Sequence, residues 1–252
     1  MNYIKRDLEN KIVSLSKEYA CVLVTGPRQV GKTTLLRNLM TDNRNYVTLD
    51  DLEERRLAQN DPALFLELHE LPILIDEVQY APELFSYIKI AIDNGTAPGS
   101  FWLTGSQAFK MMELAQESLA GRVAILHMSS LSQHEIYGSG ENIPFTIELA
   151  SLKARKLTGT PANMEELYMR IWNGSMPGLI SGKFTDRNVF YSSYLQTYIE
   201  RDVSESVALT DKLQFQDFIR AAACRAGQML NVHTIAQDVG ISDDTAKRWL
   251  QV

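Results

Sequence analysis

The residues best equipped for chemistry lie at 26–33, which read GPRQVGKT and match the P-loop pattern G-x-x-x-x-G-K-[ST]. Wrapping a phosphate group takes closely spaced backbone N–H donors, and a chain can bend that sharply only with glycine at the turns. Gly26, Pro27, Arg28, Gln29, Val30 and Gly31 would supply the cradle, and the helix that follows adds the partial positive charge of its N-terminus. Lys32 would reach the β- and γ-phosphates of ATP, the Thr33 hydroxyl would ligate Mg²⁺, and Thr34 closes the motif. The apolar run ACVLVT before it and the helical pattern after it are the context this motif requires.

A second constellation is ILIDE at 73–77. A strand here carries Asp76 to its carboxyl end, where ligands of open α/β sheets gather. Asp76 would hold Mg²⁺ through its water shell, and Glu77 would act as general base toward an attacking water. A kinase for small molecules must keep water out, so the paired acids favour hydrolysis over transfer to a metabolite.

The next strand ends in LTGSQ at 103–107, and Ser106 or Thr104 would contact the γ-phosphate or the attacking water. An ordinary strand-to-helix cap accounts for the same residues. Arg122, in LAGRV at 119–123, would stabilise γ-phosphate charge in the same subunit or in a neighbouring one, the latter making the protein a homo-oligomer. A structural salt bridge is the competing account. His69, His127, His134 and His233 share no ligand spacing with one another or with Cys21 and Cys224. His127 reads as a packed residue of a strand and Cys21 as a small core residue.

These residues need a parallel sheet to position them. Short apolar runs at 20–25, 46–49, 71–76, 100–104 and 123–128 alternate with helical patterns at 31–40, 52–69 and 81–93, after an opening helix. This is the signature of an α/β fold with both sheet faces covered. From about residue 138 the text turns helical, with GSGENIP marking a boundary near 138–150. The expected division is a P-loop domain at 1–140, a helical lid at 141–206 and a helix-turn-helix segment at 207–252. A long Tyr-rich helix over 188–203 would pack against the P-loop domain.

In the last segment Ile235 and Val239 face inward, Gly240 makes the turn, and Ser242 caps a helix carrying Ala246 and Trp249. Its basic residues Lys212, Arg220, Arg225, Lys247 and Arg248 are matched by Asp211, Asp217, Asp238, Asp243 and Asp244. Asp243 and Asp244 sit where a base-reading helix would begin, so phosphate repulsion opposes DNA binding and favours a protein contact. The net charge of −6 likewise excludes a broad basic footprint. The N-terminus is charged and no apolar stretch reaches membrane-spanning length, so a soluble, cytoplasmic protein is expected.

Taken together the chain resembles a family of bacterial and archaeal AAA-type P-loop ATPases. The matching text is GPRQVGKTTLL at 26–36, YVTLDD at 46–51, DP at 61–62, LIDEVQYAPEL at 74–84, FWLTGSQ at 101–107, ESLAGRV at 117–123, YLQTYIERDV at 194–203 and AGQMLN at 226–231. The resemblance implies a five-stranded sheet of order 5-1-4-3-2, a helical lid, a winged helix, and ATP with Mg²⁺ as ligands. It implies Lys32 and Thr33 in Walker A, Asp76 and Glu77 in Walker B, and Ser106 as sensor 1. It also implies a C-terminal domain of unknown function, related to restriction-type nucleases, so that this chain reads as truncated within its winged helix.

Three functions are then in competition. One is an ATP hydrolase whose cycle moves the lid and an effector domain or protein partner. Another is a nucleotide-gated switch with negligible turnover. A DNA-binding regulator is the third, and the acidic second helix of the helix-turn-helix opposes it.

Overall fold

The computed structural model describes residues 3–106, 119–138, 145–158, 163–198 and 212–250. Gln107, positions 117–118, 139–144 and 199–203, all invoked above, lie outside the described residues. The chain divides into two compact units, Met1–Thr185 and Asp186–Val252. That break falls inside the stretch 141–206 expected as one lid.

The first unit is built on five parallel strands: β1 (Cys21–Thr25), β2 (Asn45–Thr48), β3 (Ile73–Asp76), β4 (Phe101–Gly105) and β5 (Val123–His127). They lie in the order β2-β3-β4-β1-β5, which is the expected 5-1-4-3-2 read from the other edge. Every residue of the three central strands is buried, as their unbroken apolar text requires when helices cover both faces. The edge strands are less covered, and His127, expected to be packed, is exposed at the end of edge strand β5.

One large core joins Leu23, Ile75, Phe65, Phe85, Phe101 and Leu103 among others. Burying each such side chain contributes about 1.5–3 kcal/mol, and truncating Leu23 to alanine would cost about 2–5 kcal/mol. Core-facing helices are α1 (Glu9–Leu15), which buries Ile12; α2 (Lys32–Leu39), which buries Leu35 and Leu36; and α5 (Leu84–Asp93), which buries Leu84, Phe85 and Ile88.

The helical stretch expected at 52–69 is two helices, α3 (Leu52–Asn60) and α4 (Pro62–Leu68). Asp61 ends one and caps the other, accepting from the Leu64 N–H at 3.0 Å, while Pro62 fits the first turn, where no N–H is needed. The helix expected from 81 begins at Leu84 instead, behind a 3-10 turn at Val78–Tyr80.

Beyond β5 the short helix α6 (Gln133–Tyr137) opens with a full capping box made by Ser132 and Glu135. Two longer helices, α7 (Leu149–Thr158) and α8 (Met164–Asn173), and the single turn α9 (Pro177–Ile180) complete the first unit.

Among the described residues the second unit holds α10 (Arg187–Tyr198), α11 (Lys212–Ala223), α12 (Val232–Val239) and α13 (Asp243–Trp249). Its core joins Phe215, Phe218, Ile235, Ala236, Ala246 and Trp249. Trp249 meets both phenylalanines edge-on, with ring centroids 5.1 and 5.3 Å away. Gly240 closes α12 in the left-handed region, and the Ser242 hydroxyl accepts from the Thr245 N–H at 3.1 Å. Two helices, α12 and α13, thus flank the turn expected at Gly240. The Tyr-rich helix α10 packs Leu195 and Tyr198 against this same core.

Candidate nucleotide site

The P-loop links β1 to α2, at the carboxyl ends of the central strands. Gly26 leaves β1 at φ +146°, and a Cβ there would lie 2.1 Å from the Met128 carbonyl oxygen, so only glycine fits. Gly31 enters α2 at φ +95°. Gln29 also has positive φ, at 60°, a conformation that costs a non-glycine residue about 1–3 kcal/mol. Nothing in the sequence reading singled out Gln29 for this.

An anion cradle requires its carbonyl oxygens to be turned away from the ligand, and here they are occupied by cations. The buried Lys32 Nζ donates to the Gly26 carbonyl at 2.9 Å and to the Pro27 carbonyl at 2.8 Å. The Arg6 Nη1 donates to the Val30 carbonyl at 2.7 Å. Thr34 is exposed on α2. The backbone N–H face of the loop and the N-terminus of α2 are thus what remains for phosphate.

Asp76 ends β3 with only 6% exposure. Its Oδ1 accepts from the Thr33 hydroxyl at 2.7 Å and from the Thr104 hydroxyl, and its Oδ2 from the Tyr46 hydroxyl at 3.3 Å. Burial and the facing Asp76 carboxylate both push the Tyr46 phenol above its ordinary value, which keeps it a donor. Thr33 and Asp76, the two residues expected at a metal, are therefore brought into hydrogen-bond contact. A hydroxyl and a carboxylate suit Mg²⁺, which takes few protein oxygens and completes its shell with phosphates and water. Among the described residues no group of three or more His, Cys, Asp or Glu side chains could hold a metal by itself.

Glu77 stands one residue on, at φ 58° and ψ 44°. Its N–H donates to the Thr104 hydroxyl at 3.1 Å, which fixes Thr104 as a link between the two acids. The Glu77 Oε2 accepts from Ser106 at 3.4 Å and from the Gln79 amide. The same Gln79 Nε2 donates to Ser106 Oγ at 3.2 Å. A carboxylate can only accept, so the amide nitrogen must face it and Gln79 Oε1 must point elsewhere. That oxygen is buried without a partner, in a residue only 3% exposed. Sequence reasoning missed Gln79. Its signal was a lone amide in the buried stretch IDEVQ.

Arg122 is not brought to this site. Register pairs Cys21 with Val123 and Thr25 with His127, so Arg122 sits at the amino end of β5. About 16 Å of strand separates that edge from the P-loop. There its Nε donates to Asp93 Oδ1 at 2.5 Å and its Nη2 to Asp93 Oδ2 at 3.2 Å. A part for Arg122 in the cradle of its own chain is excluded, because the parallel register fixes it at the opposite end of the sheet.

With this geometry in place, comparison with known proteins is direct. Residues 18–137 match the model of the AAA domain. Residues 18–137 thus carry an AAA domain of the P-loop ATPase type. Residues 164–252 match a domain of unknown function, DUF8612, a boundary inside the first compact unit. Uncharacterized proteins of Mycobacterium tuberculosis (Rv2008c) and Mycobacterium bovis (Mb2031c) are each 27% identical over 98% of this chain and 50% of their own length. The chain thus spans about half the length of the curated relatives it matches. Among solved structures the Walker-type ATPase PABY2304 of Pyrococcus abyssi shares the fold at 15% identity, with TM-score 0.52 over 99% of this chain and 96% of that one. Among the described residues no helix is long and apolar enough to cross a membrane.

Proposed function

We propose that the chain binds ATP with Mg²⁺ and hydrolyses it to ADP and phosphate. The observation that carries this reading is the meeting of Thr33, Asp76, Glu77 and Ser106 beside a loop whose carbonyls are turned onto Lys32 and Arg6. Gly26 and Arg28 through Gly31 hold the phosphates by backbone N–H groups, Pro27 having none to give, with Lys32 leaving its loop carbonyls to meet the β- and γ-phosphates. Thr33 and Asp76 hold Mg²⁺, which when bound offsets charge on the phosphate oxygens. Glu77 takes a proton from water as its oxygen bonds to the γ-phosphorus and the bond to the ADP oxygen breaks. Ser106, on Glu77, orients that water or the phosphate. Arg122 would act only on a neighbouring copy's nucleotide.

A second reading is a nucleotide-gated switch with negligible turnover. It is favoured by the contacts of Lys32 with loop carbonyls and by the hold of Gln79 and Ser106 on Glu77. In either case the work driven by nucleotide falls to a protein partner or a further domain, reached through a helical lid at 141–206 and the helix-turn-helix at 207–252. Asp243, paired with His233 at 3.0 Å, keeps the second helix unfavourable for DNA. Free thiols at Cys21 and Cys224 suit a cytoplasmic setting.

Calorimetric titration with ATP and single-turnover phosphate release test the reading together. Lys32→Ala should lose binding, and unchanged affinity would sink the P-loop assignment. Glu77→Gln should bind ATP while releasing phosphate at least about a hundredfold more slowly. Equal inertness of parent and variant would leave the switch as the function.

A further inference from the structure

The N-terminal segment before the AAA match contributes a residue that reaches the phosphate cradle from outside its motif. Arg6 is 6% exposed and uses all of its guanidinium nitrogens. Nη1 donates to the Val30 carbonyl at 2.7 Å, Nη2 to the Ser129 carbonyl at 2.8 Å, and Nε to Glu135 Oε1 at 2.8 Å. Glu135 is held in turn by the N–H groups of Asp7, at 2.9 Å, and Ser132, at 2.7 Å. The P-loop and the stretch running from the exit of β5 into α6, far apart in sequence, are thereby pinned to one planar group.

We propose that Arg6 is a positioning residue of the nucleotide site, setting the direction of the Gly31 N–H in the cradle. In a trans peptide the C=O and N–H groups point opposite ways, so anchoring the Val30 carbonyl on Arg6 fixes the Gly31 N–H on the other side. A phosphate loop binds through such directions, because an anion needs N–H groups converging and carbonyls averted. Gly31, at φ +95° and without a side chain, has little of its own to hold that peptide plane. Arg6 supplies the restraint, and its fork carries it in a way a single ammonium would not. Lys32 performs the matching task for Gly26 and Pro27, but must leave it to reach a nucleotide. Arg6 is tied to Glu135 and Ser129 and stays.

The proposal rests on the nucleotide-binding reading above, and the experiment separates the two. The pair Arg6→Met with Glu135→Met replaces a buried ion pair by apolar groups of similar volume, an exchange that commonly preserves folding. It removes the donor on Val30 and leaves the P-loop sequence intact. In the full chain without nucleotide, hydrogen exchange at residues 28–33 should quicken at least about tenfold, while the melting temperature and exchange in β1 and β4 hold. A calorimetric titration with ATPγS and Mg²⁺ should show affinity down about tenfold or more. Arg6→Lys should fall between parent and the double variant. Unchanged exchange at 28–33 in the double variant overturns the proposal, whether or not the parent binds nucleotide. So does wild-type affinity in that variant. A parent that binds no ATPγS sinks the proposed function, and the exchange comparison still decides the role of Arg6. Should the double variant melt early, Arg6→Lys alone decides: wild-type exchange and affinity there overturn the role of the fork.

Discussion

The Thr33 hydroxyl lies 2.7 Å from Asp76 Oδ1, which joins the first turn of α2 to the end of β3 across 43 positions of sequence. Asp76 also gathers the hydroxyls of Thr104 and Tyr46, so three hydroxyl donors converge on its carboxylate. Asp76→Asn keeps an acceptor for these hydroxyls but loses the charge. Stability should fall by only about 1–2 kcal/mol, the difference between charged and neutral acceptors. The dependence of ATP affinity on Mg²⁺ should vanish, so that titrations with Mg²⁺ and with EDTA coincide. A persistent Mg²⁺ effect would remove Asp76 from the metal site.

Gln79 holds Glu77 and Ser106 through one amide nitrogen, while its oxygen is buried without a partner. Gln79→Met keeps the volume and discards an acceptor that contributes nothing to folding. Its melting temperature should stay within about 1 kcal/mol of the parent in stability terms. With Glu77 no longer held, single-turnover phosphate release should drop by about ten- to a hundredfold at unchanged ATP affinity. Undiminished release would make Gln79 a packing residue only.

Gly26→Ala tests the close approach of the loop to the β5 exit. The added methyl would meet a backbone carbonyl at 2.1 Å, and that carbonyl belongs to buried Met128. Neither side can yield cheaply, and φ +146° is itself hostile to alanine. A loss of about 3 kcal/mol or more is expected in denaturant unfolding, with nucleotide binding lost as well. Gly121→Ala, where nothing lies within 4 Å, should cost far less and serves as the comparison.

The sheet was legible because its central strands carry apolar text on both faces, and ILID and FWLT can hardly be read otherwise. The phosphate loop, Asp76, Glu77 and Ser106 were legible because their types and order are set by the chemistry they would perform. What escaped depends on three-dimensional company. Arg122 stood open between γ-phosphate contact and a structural salt bridge until register placed it at the amino end of β5, against Asp93. Gln29 gives no sign of its left-handed backbone, since only the packing of the whole loop imposes it. Arg6 lies in the charged N-terminal segment, and its burial follows from partners 24 to 129 positions away.

Glu135 offers a test of that buried pair by pH. Burial alone would raise its carboxyl, but the Arg6 hydrogen bond and the N–H groups of Ser132 and Asp7 outweigh it, leaving it below the ordinary glutamate value. A folded-state value lower than the unfolded one means the native protein releases this proton more readily. Glu135 therefore adds stability in full above the ordinary value of about 4.3, and that stability drains away as pH falls through the lower, folded value. Glu135→Gln cannot ionise, so it should be less stable than the parent at neutral pH. The gap between them should then narrow on acidification below about pH 4. Thermal unfolding of parent and variant across pH 3 to 7 reads this directly. A gap independent of pH would mean that the ionised form of Glu135 holds no advantage in the fold.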